Sequence, residues 1–294
     1  MRLRSEYLAR GVDDNAIARQ VRSGNVTRVR RGAYRPRGAL LPEEEHRELV
    51  MATVAQLHLP AFVSHQSAAV LHGLPVDRRS LQQVHLTRQG SRGTRVRGPV
   101  RIHLTADPLD GCLIDGVAVT TMSRTTVDLC RVLSFRDAVA VADAAVRRGA
   151  DRTAMLGALV DHPRRPGNVK ARRALHFADP HSESAGESHS RAVMDEAQLP
   201  MPTLQYALTD SSGTMRGDFA WQQQRLLGEF DGEVKYGRLL RPGQQLSDVL
   251  AAEKRRENRL RRLGWWVTRW TWNDLARPEE FAAMIRRMLE VAGE

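Results

Sequence analysis

The sequence predicts a mixed α/β (α+β) chain in three segments, and three observations predict it. Residues 1–42 open with two short helical patterns and a basic strand–glycine–strand pattern. Residues 43–162 set helices around alternating β patterns, an α+β arrangement. Residues 183–294 run helix, strands, helix, strand, helix, the order of a domain with a mixed sheet. Between the last two, residues 163–182 carry Pro163, Pro166, Gly167 and Pro180 and read as a linker, partly helical.

The chain has 294 residues, 41% of them hydrophobic, enough to bury a sizeable core. Its formal net charge is +11, mostly from arginine. A basic surplus of this size favours a polyanionic partner, with nucleic acid ahead of an anionic membrane surface. Arginine presents a planar fork of donors that fits phosphate oxygens and guanine edges. Cys112 and Cys130 stand alone, without a CxxC pair, so a thiolate zinc site is excluded and free thiols are expected. No run reaches the length of a membrane span, and a soluble, cytoplasmic protein is expected.

In the first segment, a helix over residues 5–10 stops at Gly11. Asp13, Asp14 and Asn15 then offer N-cap chemistry to a second helix, residues 16–22, with Ile17 and Val21 on one face. Residues 26–35 read as a hairpin turning at Gly32, with Val29 and Tyr34 pointing in and arginines pointing out. Two helices and a basic hairpin follow the winged helix-turn-helix plan. Residues 1–40 hold ten arginines against three acids, so 10 − 3 = +7 of the chain's +11 lies here. A recognition helix bearing Arg19, Gln20 and Arg22 can enter a major groove of double-stranded DNA. A wing bearing Arg28, Arg30, Arg31 and Arg35 can clamp phosphates or reach a minor groove. The alternative is a solvated basic face on a protein-binding domain.

In the second segment, a helix over residues 43–57 precedes a capped helix near Ser64 that stops at Gly73. Strands are expected at residues 84–87, 100–104 and 117–120, with an Arg/Gly-rich loop over residues 88–98. Helices follow at residues 123–133 and 135–148. His65, His72, His85 and His103 share no ligand-like spacing on one element and read as structural.

The third segment holds a helix over residues 186–197 and strands at residues 205–208, 216–221 and 226–231. A charged helix covers residues 247–263, then come a strand at residues 265–270 and a helix at residues 278–291. Asp218 falls on one strand. Glu229 and Asp231 fall on the next, two apart and so on one face. Glu187 is on the opening helix, and Lys235 follows the strand. Clustered carboxylates beside a lysine suit Mg²⁺-dependent phosphodiester cleavage, in which oxygen ligands hold the metal and the metal activates water. The same spacing also suits an exposed acidic loop with ordinary salt bridges. Trp265, Trp266, Trp270 and Trp272 read as core before stacking platform. Lys254, Arg255, Arg256, Arg259, Arg261 and Arg262 read equally as a phosphate-binding face or as a helix balanced by Glu253 and Glu257.

Two resemblances extend this reading. Asp218-Phe219, Gly228-Glu229-Phe230-Asp231-Gly232-Glu233-Val234-Lys235-Tyr236, Glu253-Lys254-Arg255-Arg256-Glu257 and the stretch Leu263 to Trp270 resemble the Vsr-like group of the PD-(D/E)XK nuclease superfamily. The likeness covers most of residues 183–290. It implies Asp218 and Glu229 as metal-binding acids with Asp231 beside them, Glu187 as the helix-borne acid, and Mg²⁺ as cofactor. Asp231 stands where the superfamily carries its lysine, a place that Lys235 can fill from further along.

Residues 1–150 resemble the AbiEi antitoxins of type IV toxin–antitoxin systems. The likeness rests on Arg31-Gly32-Ala33-Tyr34, on Ser67-Ala68-Ala69-Val70-Leu71-His72-Gly73-Leu74, and on the stretch Val119 to Leu129. It implies a winged helix that binds promoter DNA and represses its own operon on inverted repeats, hence a homodimer, and a cognate toxin as partner. Three functions follow: a DNA-binding regulator with a nuclease-fold tail, an active Mg²⁺-dependent endonuclease in phage defence or repair, or a protein-interaction scaffold. Carboxylates converging in an open basic cleft would favour the nuclease, and carboxylates neutralised by arginines the regulator.

Overall fold

The computed structural model describes residues 1–57, 59–91, 93–232 and 246–294, and within them it is a mixed α/β protein with twelve helices and three sheets. The chain divides into two compact units, one of residues 1–132 with 150–171 and one of residues 133–149 with 172–294. No helix among the described residues is long and apolar enough to cross a membrane.

The first unit begins with β1 (Arg2–Leu3), α1 (Arg4–Ala9), α2 (Asp14–Arg22), β2 (Val26–Arg30) and β3 (Ala33–Pro36). The Asp13 carboxylate caps α2 by accepting from the Ala16 amide at 2.7 Å, as its side-chain chemistry predicts. The short strand β1 pairs antiparallel with β3, giving a three-stranded sheet of order β1-β3-β2. Gly32, at φ +78°, supplies the left-handed turn between β2 and β3.

The chain continues through α3 (Pro42–Val54), β4 (Phe62–Val63), α4 (His65–His72), β5 (Val84–Gln89), β6 (Gly93–Arg97), β7 (Val100–Thr105), β8 (Gly111–Ile114), β9 (Val117–Thr120) and α5 (Met122–Val132). These strands form a six-stranded sheet of order β6-β7-β5-β4-β9-β8. Its core includes Val63, Leu86, Val100 and Val119 from the sheet, with Val50 and Ala68 from the helices. Burying these apolar surfaces is the main favourable term. The expected Arg/Gly loop over residues 88–98 is corrected: residues 93–97 are β6, antiparallel to β7. All five β6 residues, Gly93 among them, are exposed, so no apolar alternation marks it as a strand.

The second unit receives α6 (Phe135–Arg147), while α7 (Arg152–Val160) returns to the first and α8 (Asn168–Phe177) carries the chain across the division. The expected linker at residues 163–182 is therefore largely structured. Ala171, Ala174 and Leu175 of α8 are fully buried. In the second unit, Arg191 donates to Asp143 at 2.7 Å and to the Phe177 carbonyl at 2.9 Å, and the Asp179 amide donates to Asp143 at 2.8 Å. That network places α6 with the C-terminal segment, so the expected boundary at residue 162 is replaced by an interleaved one.

The second unit then runs α9 (Ala185–Glu196), β10 (Thr203–Asp210), β11 (Gly213–Trp221), β12 (Leu226–Phe230), α10 (Leu246–Arg262), β13 (Trp266–Trp270), α11 (Trp272–Leu275) and α12 (Pro278–Gly293). The sheet order is β10-β11-β12-β13, with the last pair parallel and the others antiparallel. Strand alternation divides the side chains between two cores. Phe219, Leu226 and Trp270 pack with Val193 of α9 and Phe281 of α12. Ala220, Leu227 and Trp265 pack with Leu260 of α10. Trp265 and Trp270 are core residues, whereas Trp266 and Trp272 are exposed.

Candidate nucleic-acid interface and acidic site

Arg19 and Arg22 are exposed on α2 and Gln20 is half-buried beside them. Gly24, at φ +72°, turns the chain from α2 into β2, so the α2 arginines lead directly into the hairpin. Arg28 and Arg31 are exposed there, and Arg30 is half-buried. Burial lowers the Arg30 pKa, and its Nε and Nη1 atoms have no hydrogen-bond partner.

Arg35 is corrected. It is buried, donates to the Gly38 carbonyl at 2.6 Å and to Glu45 at 3.1 Å, and pairs with Glu48 at 3.2 Å. Its fork therefore fastens the hairpin to α3 and does not face phosphate. Ala33 and Arg35 are buried, and Tyr34 is half-buried with its ring edge-on to that of the buried Tyr7 of α1, the centroids 6.0 Å apart.

In the second unit, Glu187 of α9 is buried, and its Oε2 accepts from the Glu183 amide at 2.9 Å and from Gln205 Nε2 at 2.8 Å. Gln205, at φ +51°, sits opposite Asp218 where the β10–β11 pairing skips a step between Leu204↔Phe219 and Tyr206↔Gly217. Asp218 Oδ2 accepts from the Phe230 amide at 3.0 Å. Burial, reinforced by the negative charges of Glu187 and Glu229, pushes the Asp218 carboxyl up to about 6.

Glu229 takes a different state. Arg256 donates to its Oε1, and Arg269 donates to its Oε2 at 2.9 Å. Burial opposes its ionisation, but the two guanidinium groups outweigh that and lower its pKa. Arg269 also donates to Glu253, and Arg259 pairs with Asp210, so these arginines serve as internal partners of acids. Asp231 lies one residue past the end of β12, where its amide donates to the Trp270 carbonyl at 2.8 Å. Lys235 lies outside the described residues.

The Mg²⁺ site implied by the nuclease resemblance does not fit this donor set. Both Glu229 oxygens are held by guanidinium groups. Among the described residues, the acids do not form a group of three ligands within 4.8 Å of one another.

A group that does meet that distance is His65, His85 and His103 in the first unit, residues that no sequence spacing brings together. His85 lies on β5 and His103 on β7, two strands that pair in parallel, and His65 opens α4. His85 Nδ1 is 3.1 Å from His103 Nε2, and the His65 and His103 rings stack with centroids 3.8 Å apart. Burial, and then the neighbouring basic groups, push His85 and His103 down to about 3, so both rings are neutral. The three positions lie on three elements, and their convergence is a product of the folded sheet.

No family model matches the chain. It is 32% identical over 282 residues to uncharacterized protein MT2308 of Mycobacterium tuberculosis strain CDC 1551 / Oshkosh, covering 93% of this chain and 96% of that protein. The same figures hold for uncharacterized protein Rv2248 of Mycobacterium tuberculosis strain ATCC 25618 / H37Rv.

Proposed function

The chain belongs to the family of the Mycobacterium tuberculosis proteins MT2308 and Rv2248, and for it we propose double-stranded DNA binding, in a transcriptional regulator of the AbiEi antitoxin type whose nuclease-like C-terminal unit is silent. The observation that carries the reading is the run of exposed arginines, Arg19 and Arg22 on α2 and Arg28 and Arg31 on the hairpin, inside a segment of net charge +7. Guanidinium groups so placed neutralise phosphates and release counterions. Gln20 on α2 adds a side chain able to address a base edge. A homodimer on an inverted repeat and a cognate toxin partner belong to the same proposal.

An active Mg²⁺-dependent endonuclease is the second reading, and the closeness of Asp218 to Glu187 favours it. The arginines on Glu229 weigh against it, because a metal would have to displace two charge-assisted hydrogen bonds from the second acid. The test is fluorescence anisotropy of labelled duplex DNA across a salt series. For a phosphate-binding surface, log K falls linearly with log salt, and an affinity indifferent to salt would overturn the DNA-binding role.

A further inference from the structure

We propose that His65, His85 and His103 form a binding site for one zinc-class transition-metal ion in the first unit. Three imidazoles from three elements bring ligand nitrogens within 4.8 Å of one another. The separation of His85 Nδ1 from His103 Nε2 is 3.1 Å. Two nitrogens bound tetrahedrally at about 2.0–2.1 Å from zinc sit about 3.3 Å apart, so this edge of the site is nearly formed. The His65 ring completes the set by turning out of its stack on His103.

Other histidines of the same unit show what a purely structural ring does here. His46 lies 2.7 Å from the Leu81 carbonyl through Nδ1, and His72 lies 2.8 Å from the Thr120 carbonyl through Nε2. Both rings are fixed by backbone acceptors. In the cluster, His85 Nδ1 and His103 Nε2 share a hydrogen bond whose proton a bound ion would replace, and His65 Nδ1 is hydrogen-bonded to the Ser64 hydroxyl. His65 also sits at φ +50°, a left-handed conformation that a non-glycine residue adopts at a cost.

The surroundings suit the inner ligands. The Ser64 hydroxyl lies 3.0 Å from His65 Nδ1 and can set that ring's tautomer. The Ser67 hydroxyl accepts from the His85 amide at 2.8 Å and lies 2.9 Å from His46 Nε2, which holds β5 against α3 and α4. Nitrogen ligands select Zn²⁺, Co²⁺ or Ni²⁺ over Mg²⁺. Three protein ligands leave the fourth tetrahedral position to water.

The test uses the full chain without a histidine tag, stripped with chelator and titrated with Zn²⁺ by calorimetry. The expected result is one ion per chain, with affinity lowered at least tenfold in His65→Ala and in His103→Ala and unchanged in His72→Ala. Co²⁺ should give the visible absorption of a tetrahedral site in the native chain and lose it in the two cluster variants. Should a variant misfold by circular dichroism, His65→Gln and His103→Gln replace it. Failure of the native chain to take up Zn²⁺, or uptake equal in native and cluster variants, overturns the proposal.

Discussion

Glu229 on β12 and Arg269 on β13 are direct register partners in a parallel strand pair, and their side chains meet at 2.9 Å. Arg256 reaches the other oxygen of the same carboxylate from α10. In a metal-dependent nuclease the acid at this place would face the ion. Here it is an acceptor for two guanidinium groups. Glu229→Ala should therefore act on stability, lowering it by about 1–3 kcal/mol as two partly buried arginines lose their acceptor. Urea unfolding measures this. Supercoiled plasmid incubated with Mg²⁺ or Mn²⁺ should remain intact with native chain and variant alike, and cleavage that Glu229→Ala abolishes would restore the nuclease.

Asp218 gives the second unit a pH dependence. Its folded pKa is raised from 3.8 to about 6, so the folded state holds a proton that the unfolded state releases. The stability from that proton is complete below about 3.8 and is lost as pH rises through about 6. Asp218→Asn should flatten this slope and stabilise the protein near pH 7 by about 1 kcal/mol, after discounting for solvent screening of a half-buried group. Thermal melts of native and variant between pH 4 and 7 test it, and parallel curves would refute it.

Arg35→Ala should separate architecture from DNA binding. Removing the Glu45 and Glu48 pairs and the Gly38 hydrogen bond costs about 1–3 kcal/mol of stability. The salt slope of DNA binding should stay that of the native chain, since Arg35 is buried. A reduced slope in a fully folded Arg35→Ala protein would put this side chain back on the phosphates.

Arg191 and Asp143 form a buried pair tying α9 to α6. Burial raises the Asp143 pKa despite Arg191, so the carboxylate depends on that partner. Arg191→Ala should cost about 3–5 kcal/mol because it strands a buried acid. Hydrogen exchange should show the weakening in residues 135–147 together with 185–196. Weakening in only one of the two helices would contradict their membership of one unit.

The legible parts of the fold were those with strong local chemistry. Asp13 and Gly73 mark helix ends through caps that work within a few residues. Strands β1 and β4 have two residues each, too few for a period. Strand β6 is set by pairing with β7 alone. The buried Ala171, Ala174 and Leu175 were obscured by the Pro and Gly residues around α8, which read as linker composition. Residue type and spacing single out Asp218, Glu229 and Glu187 as candidates, but the arginines on Glu229 come from residues 27 and 40 positions away. The histidine cluster and the inward turn of Arg35 also depend on long-range packing, which no window of sequence contains.

Duplex DNA affinity across a salt series, compared between the native chain, Arg28→Ala/Arg31→Ala and a control pair Arg277→Ala/Arg287→Ala, decides whether the hairpin arginines hold phosphate. Both pairs remove the same charge, and all four residues are exposed. The hairpin pair should weaken binding and lower the salt slope by about 1 for each phosphate no longer neutralised, while the control pair should leave both near native values. Equal effects of the two pairs, or no measurable duplex binding by the native chain, would contradict DNA binding through the hairpin.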